Sequence, residues 1–395
     1  MTAEPSAVVA RLGGDSFLAE VFGRTYRLVR GDASTVAGLL TWDDLNWILG
    51  RNRMEAPRLR LSKDGETVPQ DAYTHPFVTR RSTVWHRLHP SALHEQLGQG
   101  ATLVIDAVDE LHPGVQRLAS DLEAWLRTQV QVNLYASWTG REGFGTHWDD
   151  HDVVVVQLDG AKRWKIFGPT RVAPMHRDVE APEEPPEKPT ADVVLKAGDM
   201  LYLPRGWWHN VAASEGERSL HLTCGLTTMT GADLIIWLSE TLRREGVVRS
   251  DLPRFASPAE KQTFVDSLRK LLIQELDSGT LIDRYARHHD AMERVRFRPS
   301  LPFVAEAPAD PNQRVQMLTT RHALALDNDS NVVLTAGGES WTFAKAARTL
   351  LERLSDGQPH ILAELIDGTE VTVEQAAKLV GELVKGQVAT IGGEL

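Results

Sequence analysis

Between Gly143 and Val156 the chain runs through His147, Trp148, Asp149, Asp150, His151 and Asp152 and straight into four consecutive valines. Imidazoles and carboxylates at this density are the side chains that hold metal ions. Four β-branched residues in a row predict a strand, in which residues two apart share a face. His147 and Asp149 then project together, with Trp148 on the other side. An imidazole and a carboxylate supply two legs of a metal site, and the best candidate for a third is His209, at the end of Gly198-Asp199-Met200-Leu201-Tyr202-Leu203-Pro204-Arg205-Gly206-Trp207-Trp208-His209. Two histidines and one carboxylate leave coordination positions open, which suits a non-haem Fe(II) that must also bind oxygen and a co-substrate.

Rival readings of the same residues fare worse. His147 and His151 are four apart, the spacing of a helical zinc motif, but the glutamate of that motif is absent and the valine run argues against a helix. Asp150 and Asp152 have the wrong parity to join His147. Lys162, just beyond Asp159-Gly160, is placed by a predicted tight turn at the start of a strand that pairs back on the His147 strand, where an ammonium could meet a carboxylate bound beside the metal. Arg163 is the alternative base. Asn133 and Tyr135, two apart on a neighbouring predicted strand, could donate hydrogen bonds to the same ligand or line its pocket.

These residues need a β-rich scaffold. Strands are predicted at 101–107, 130–135, 152–158, 163–167, 192–195, 199–203 and 219–226, a pattern of short strands and turns that fits a β-sandwich or jelly roll. Ahead of them lie predicted helices at 16–22 and 41–49 and a hairpin at Lys63-Asp64-Gly65, and an amphipathic helix from Pro113 to Gln129 separates the first two strands. The stretch 181–190 is rich in proline and acid and predicts a surface loop. From Ala232 to Arg298 the period becomes helical. One stripe is Leu234, Ile235, Leu238 and Leu242; another is Phe264, Leu268, Leu271, Leu272 and Leu276. Two apolar stripes outside a barrel suggest a homodimer, in which one patch serves both copies. A linker is predicted at 305–313. Beyond it, helices at 342–354 and 372–385 between β-like ends fit a small winged-helix module.

Taken together this is an α+β chain: a jelly-roll core with N-terminal helices over 1–228, a helical region over 229–304 and a winged-helix-like module over 305–395. The 395 residues suffice for such a division, and 42% hydrophobic with 25% charged residues is ordinary for a globular protein. A net charge of -11 gives no global attraction to nucleic acid or anionic lipid. The last 95 residues hold 13 acidic and 7 basic side chains, which speaks against a DNA-binding wing. Cys224, the single cysteine, excludes an internal disulfide and lies in an apolar run as a small buried hydrophobe. No apolar window of about 20 residues predicts a membrane span, and the N-terminus does not read as a signal peptide. The expected location is the cytoplasm.

The combination of His147-Trp148-Asp149, the valine strand, Gly160-Ala161-Lys162-Arg163-Trp164-Lys165, Gly198-Asp199-Met200-Leu201-Tyr202-Leu203-Pro204 and His209 resembles the JmjC-type 2-oxoglutarate oxygenases of the cupin superfamily, and among them the ribosomal oxygenases. The resemblance is carried by residues 100–228. It implies a double-stranded β-helix with Fe(II) on His147, Asp149 and His209, and 2-oxoglutarate held at its far carboxylate by Lys162. It also implies co-substrate contacts from Asn133, Tyr135 and, on the strand after the distal histidine, Thr223. The implied reaction couples oxidative decarboxylation of 2-oxoglutarate by O2 to hydroxylation of a protein or peptide side chain, by resemblance that of a ribosomal protein. Two other readings stay open. One is a hydroxylase of a modified peptide or small molecule on the same site. The other is a ligand-sensing cupin regulator with a DNA-binding winged helix. The family's layout after the barrel, a helical dimerisation region and then a winged helix, is similar to that read here. The chain departs from it in the 181–190 stretch and at Trp207-Trp208, both expected at the pocket mouth.

Overall fold

The computed structural model describes residues 7–140, 143–176, 178, 183–213, 217–327 and 330–392. The chain divides into two units that meet between Thr228 and Met229.

In the first unit, α1 (Ala7–Leu12) and α2 (Gly14–Glu20) lead to the short β1 (Arg27–Val29) and to α3 (Trp42–Arg51). Thr41 caps α3 through a reciprocal capping box with Asp44, which satisfies the free N–H groups of its first turn. Two hairpins follow, β2–β3 (Leu59–Lys63, Glu66–Thr67) and β4–β5 (Thr74–Val78, Val84–Leu88). After α4 (Pro90–Gly98) come β6 (Thr102–Ile105) and α5 (Pro113–Leu126). The remaining strands are β7 (Gln129–Ser137), β8 (Asp152–Pro169), β9 (Ala191–Lys196), β10 (Met200–Leu203), β11 (Trp207–Ala213) and β12 (Ser219–Thr227).

The larger sheet runs β1-β10-β8-β12-β7-β6-β2-β3, and β9 and β11 flank the far half of β8. All these pairings are antiparallel. One face of the large sheet packs on α1, α2, α3 and α5 through Leu12, Phe17, Ile48, Leu118 and Leu122, with Val154, Val156 and Cys224 from the strands. The opposite parity, Val153 and Val155, joins Trp164, Ile166 and Leu195 in an inner cluster. The four valines are therefore buried on both sides, which is why they form an unbroken apolar run rather than an alternating one.

Asp159-Gly160 is not a hairpin turn. The chain stays extended from Asp152 to Pro169, and Lys162 lies further along the same strand instead of pairing back on it. Asp159 and Gly160 continue to pair with Leu220 and Ser219, with a register shift at Leu220/His221. Asp159 is tied to tertiary partners, the Trp42 Nε1 at 2.7 Å and Arg218 at 3.2 Å, so it does not fold back. Gly160 takes φ +67, and a Cβ there would lie 1.7 Å from the Arg218 carbonyl oxygen. Gly160→Ala should therefore destabilise the unit by roughly 2 kcal/mol or more, from positive φ plus a backbone clash. A thermal melt should show the midpoint several degrees lower; an unchanged midpoint would contradict this account of the close approach at Gly160.

The second unit holds α6 (Gly231–Thr241), α7 (Gly246–Arg249), α8 (Pro258–Leu276) and α9 (Leu281–Met292), followed by two three-stranded sheets. One sheet joins β13 (Arg314–Met317) to β17 (His360–Ile361) and β18 (Ala389–Ile391); the other is β14-β15-β16 (His322–Asp327, Asn331–Ala336, Glu339–Ala344). They share a core with α10 (Arg348–Leu354), α11 (Leu362–Ile366) and α12 (Val373–Lys385). The helix expected over 342–354 begins only after Ala344, because Trp341, Thr342 and Phe343 are β-formers paired with β15. Ala307, in the predicted linker, and Phe303 just ahead of it pack on this core. Of the 181–190 stretch, residues 183–190 carry no helix or strand, and 181–182 lie outside the described residues. No described helix is long and apolar enough to cross a membrane.

Candidate metal centre

His147, Trp148 and Asp149 lie just ahead of β8 rather than within it. Extended backbone is nonetheless imposed on His147 by a bridge to β11: its N–H donates to the His209 carbonyl at 3.0 Å, and the His209 N–H returns the bond at 2.7 Å. The Asp149 carbonyl accepts from the Gly206 N–H at 2.9 Å, which fixes the third residue. One ligand atom each from His147, Asp149 and His209 lie within 4.8 Å of one another, the only such trio of metal-capable residues among the described residues. The two imidazole centroids are 4.3 Å apart. Nε2 of His147 stands 3.9 Å from one Asp149 oxygen, and Nε2 of His209 stands 3.7 Å from the other.

The tautomers follow from the neighbours. Nδ1 of His147 faces the Gly145 carbonyl at 3.1 Å, and Nδ1 of His209 faces the Trp207 carbonyl at 3.0 Å. A carbonyl only accepts, so each Nδ1 carries the proton and each Nε2 offers a lone pair inward. Burial, reinforced by the adjacent His147, pushes the His209 pKa down to about 4, so the imidazole is neutral, the form that binds metal. The neighbouring acids are engaged elsewhere. Asp150 accepts from His151 at 3.0 Å and His176 at 2.9 Å, and Asp152 accepts from the Tyr202 hydroxyl and from the Arg205 N–H at 3.0 Å.

The triad opens into a cavity of about 270 Å³. Lys162, Tyr135 and Thr223 line it; Asn133 does not, and its side-chain oxygen instead accepts the Ala107 N–H at 3.0 Å. Arg163 is turned outward into an ion pair with Asp192 at 2.6 Å. Lys162 is buried, and its Nζ donates to Ser137 Oγ at 2.8 Å. No carboxylate of the described residues pairs with it, and burial pulls its pKa down to about 7. Nδ1 of His221 and Nε1 of Trp164 are buried without hydrogen-bond partners, and both residues line the same cavity. Burial, and then the Lys162 charge, hold the His221 pKa well below its ordinary value. A buried cation and two unsatisfied ring nitrogens are costly unless something polar occupies the space. The donor set therefore fits a small anion beside a divalent metal.

Trp207 and Trp208 do not stand at the cavity. Trp207 packs 5.6 Å from Tyr26, and Trp208 donates from Nε1 to Thr170 Oγ1 at 2.9 Å. The sequence reading also passed over Ser137, His221 and Trp164. Each lies two residues from a residue it had singled out, Tyr135, Thr223 and Lys162, and strand parity alone would have reached them. Arg60 and Phe144 also line the cavity, and nothing local in the sequence marks them.

Residues 110–234 match the JmjC domain family. The chain is 28% identical over 285 residues to the bifunctional lysine-specific demethylase and histidyl-hydroxylase NO66 of Dictyostelium discoideum, covering 68% of this chain and 53% of that protein. It is 31% identical over 166 residues to the protein of the same name from Drosophila persimilis, covering 42% of this chain and 21% of that one. Against ribosomal oxygenase 2 of Mus musculus the figures are 26% over 308 residues, 74% and 65%. The chain thus spans between a fifth and two thirds of these relatives. Among solved structures, the ribosomal oxygenase YcfD of Escherichia coli, in complex with cobalt and 2-oxoglutarate, superposes with a TM-score of 0.58 at 18% identity, over 96% of this chain and 98% of that one. At that identity the likeness shows a shared fold, of the JmjC/cupin type. The chain carries a JmjC domain and resembles the ribosomal oxygenases.

Proposed function

We propose that this JmjC-domain chain is an Fe(II)- and 2-oxoglutarate-dependent oxygenase that hydroxylates a side chain of a protein, with ribosomal proteins as the substrate class. The observation that carries the reading is Lys162, buried with no carboxylate partner among the described residues, in the same cavity as three converging metal-capable side chains. His147, Asp149 and His209 would hold the iron, and when bound it supplies oxygen activation coupled to decarboxylation of 2-oxoglutarate. Lys162, oriented by Ser137, neutralises the far carboxylate of the co-substrate. His221 and Trp164 offer N–H donors to the same ligand, and Tyr135 and Thr223 flank it. Burial, together with the Asp149 charge, pushes the Tyr135 pKa up to about 12, so its hydroxyl remains a donor at neutral pH. The apolar walls, Val153 and Val211 among them, exclude water.

The relatives' names supply the substrate: ribosomal oxygenase and histidyl-hydroxylase make a histidine of a ribosomal protein the first residue to test. Incubation with iron, 2-oxoglutarate and a ribosomal protein digest should give a mass gain of one oxygen on a peptide together with succinate. Succinate release without any modified peptide would favour a small-molecule substrate. A cupin regulator would bind iron and release none.

Residues 305–395 are proposed as a winged-helix-like module that does not bind DNA, given its acidic excess. Residues 229–304 are proposed to dimerise. The 19-residue α8 has no buried residue, and Leu272 and Leu276 on it are exposed. A second copy would cover this face. Light scattering at micromolar concentration should give twice the chain mass, and Leu272→Glu with Leu276→Glu should give the monomer with the melting of the oxygenase unit unaltered. A monomeric parent protein defeats the idea. A cytoplasmic setting agrees with this substrate class.

A further inference from the structure

The β4–β5 hairpin is set apart from the rest of the first unit in both pairing and charge. Its two strands pair only with each other. From Ala72 to His94 the sequence has no acidic residue, but it has Arg80, Arg81, Arg87 and four histidines, in a chain whose net charge is -11. The three arginines are exposed, and none pairs with a carboxylate among the described residues. Asp71 and Glu95 flank the stretch, and the Glu55 carboxylate, which reaches the hairpin, is taken up by Arg53 and by the His86 N–H.

Aromatic rings face outward on the same ground. Trp47, Phe77 and Trp85 are 51%, 39% and 36% exposed. Each carries a guanidinium over its face: Arg51 on Trp47 at 5.0 Å, Arg87 on Phe77 at 3.9 Å and Arg53 on Trp85 at 4.6 Å. Arg51 ends α3, and Arg53 follows two residues later to stack on β5, so helix end and hairpin are linked. The tip is held by the Thr79 N–H to the Thr83 carbonyl at 2.9 Å, which fixes Arg80 and Arg81 in a closed turn.

We propose that this hairpin, with the end of α3, is a docking surface for single-stranded nucleic acid. Stacked guanidinium–aromatic pairs present flat platforms on which bases stack, and two of them, Arg51–Trp47 and Arg87–Phe77, keep their positive charge free of any described carboxylate; Arg80 and Arg81 at the tip meet phosphates. An acidic peptide would use the charge and leave the rings without a role. The overall negative charge restricts the contact to this patch.

The test is fluorescence anisotropy of the full chain with labelled 15-nucleotide U-rich RNA, the same sequence as DNA, and a polyglutamate peptide. Micromolar RNA binding is expected at 50 mM salt, weakening roughly twentyfold at 200 mM for three phosphate contacts on a single strand. The charge reversal R80E/R81E/R87E should abolish it. The pair F77A/W85A, with an unchanged melting midpoint, should weaken it at least about fivefold and leave the salt slope in place. RNA and DNA arms that differ identify the source of the strand. No binding at 50 mM salt and 100 μM protein overturns the proposal. So does binding insensitive to F77A/W85A with polyglutamate competing equally, which makes the patch a surface for acidic protein.

Discussion

Asp149→Ala is expected to lower succinate release and substrate oxidation by more than about a thousandfold, since loss of a ligand should exceed the ~10–100-fold cost of losing an outer-shell partner. Among the described residues its carboxylate is the only one facing Nε2 of both His147 and His209, at 3.9 and 3.7 Å. Without it two neutral imidazoles remain, too few to hold a divalent ion against chelators. Iron content after reconstitution should fall in step with activity. The fold should survive, because the backbone bonds that shape the segment run through His147, His209 and the Asp149 carbonyl, all retained in the variant. Near-normal iron and turnover in Asp149→Ala would remove this residue from the centre.

Lys162→Met should produce two effects of opposite sign. Removing the charged partner of a buried carboxylate costs about 3–5 kcal/mol, so the KM for 2-oxoglutarate should rise by at least about a hundredfold while iron binding stays close to normal. The ligand-free protein should become more stable. A Lys162 pKa of about 7 in the folded chain, against 10.5 when solvated, means that the unfolded chain holds the proton more tightly. The penalty is absent above about pH 10.5, grows as pH falls, and is complete below about pH 7. At pH 7 and below, the variant should melt at least about 5 °C above the parent, and the difference should shrink toward pH 10. A difference that does not change between pH 6 and 10 would mean that Lys162 is solvated. An unchanged KM would mean that another group holds the co-substrate.

The parity of strands made much of the site legible in the sequence. His147 with Asp149, and the valine run that follows, announce the cluster, and Lys162 and Thr223 sit on inward-facing positions of β8 and β12. Two of the misplacements have clear physical causes. Asp-Gly between apolar runs favours a two-residue turn, but Asp159 is bonded to Trp42 and Arg218, which are remote in sequence. Asn133 shares strand parity with Tyr135, but the main chain at Ala107 takes its side chain. Arg60 and Phe144 reach the cavity from a hairpin and a loop whose approach only the folded chain determines.

Because β8 is one continuous strand, its first half belongs to the sheet that packs on the helices and its second half to the pair formed with β9 and β11. Lys162 lies past that crossing and His209 on a strand bonded to it. Neither sheet can open without exposing the middle strand of the other. Amide protons of Val154 and Ile166 should therefore exchange with solvent at similar, near-global rates, although they face different layers. The three residues proposed to hold the iron, and the lysine proposed to hold the co-substrate, would then be lost only when the whole first unit unfolds, and a partly loosened chain with a working half of its centre would not be populated.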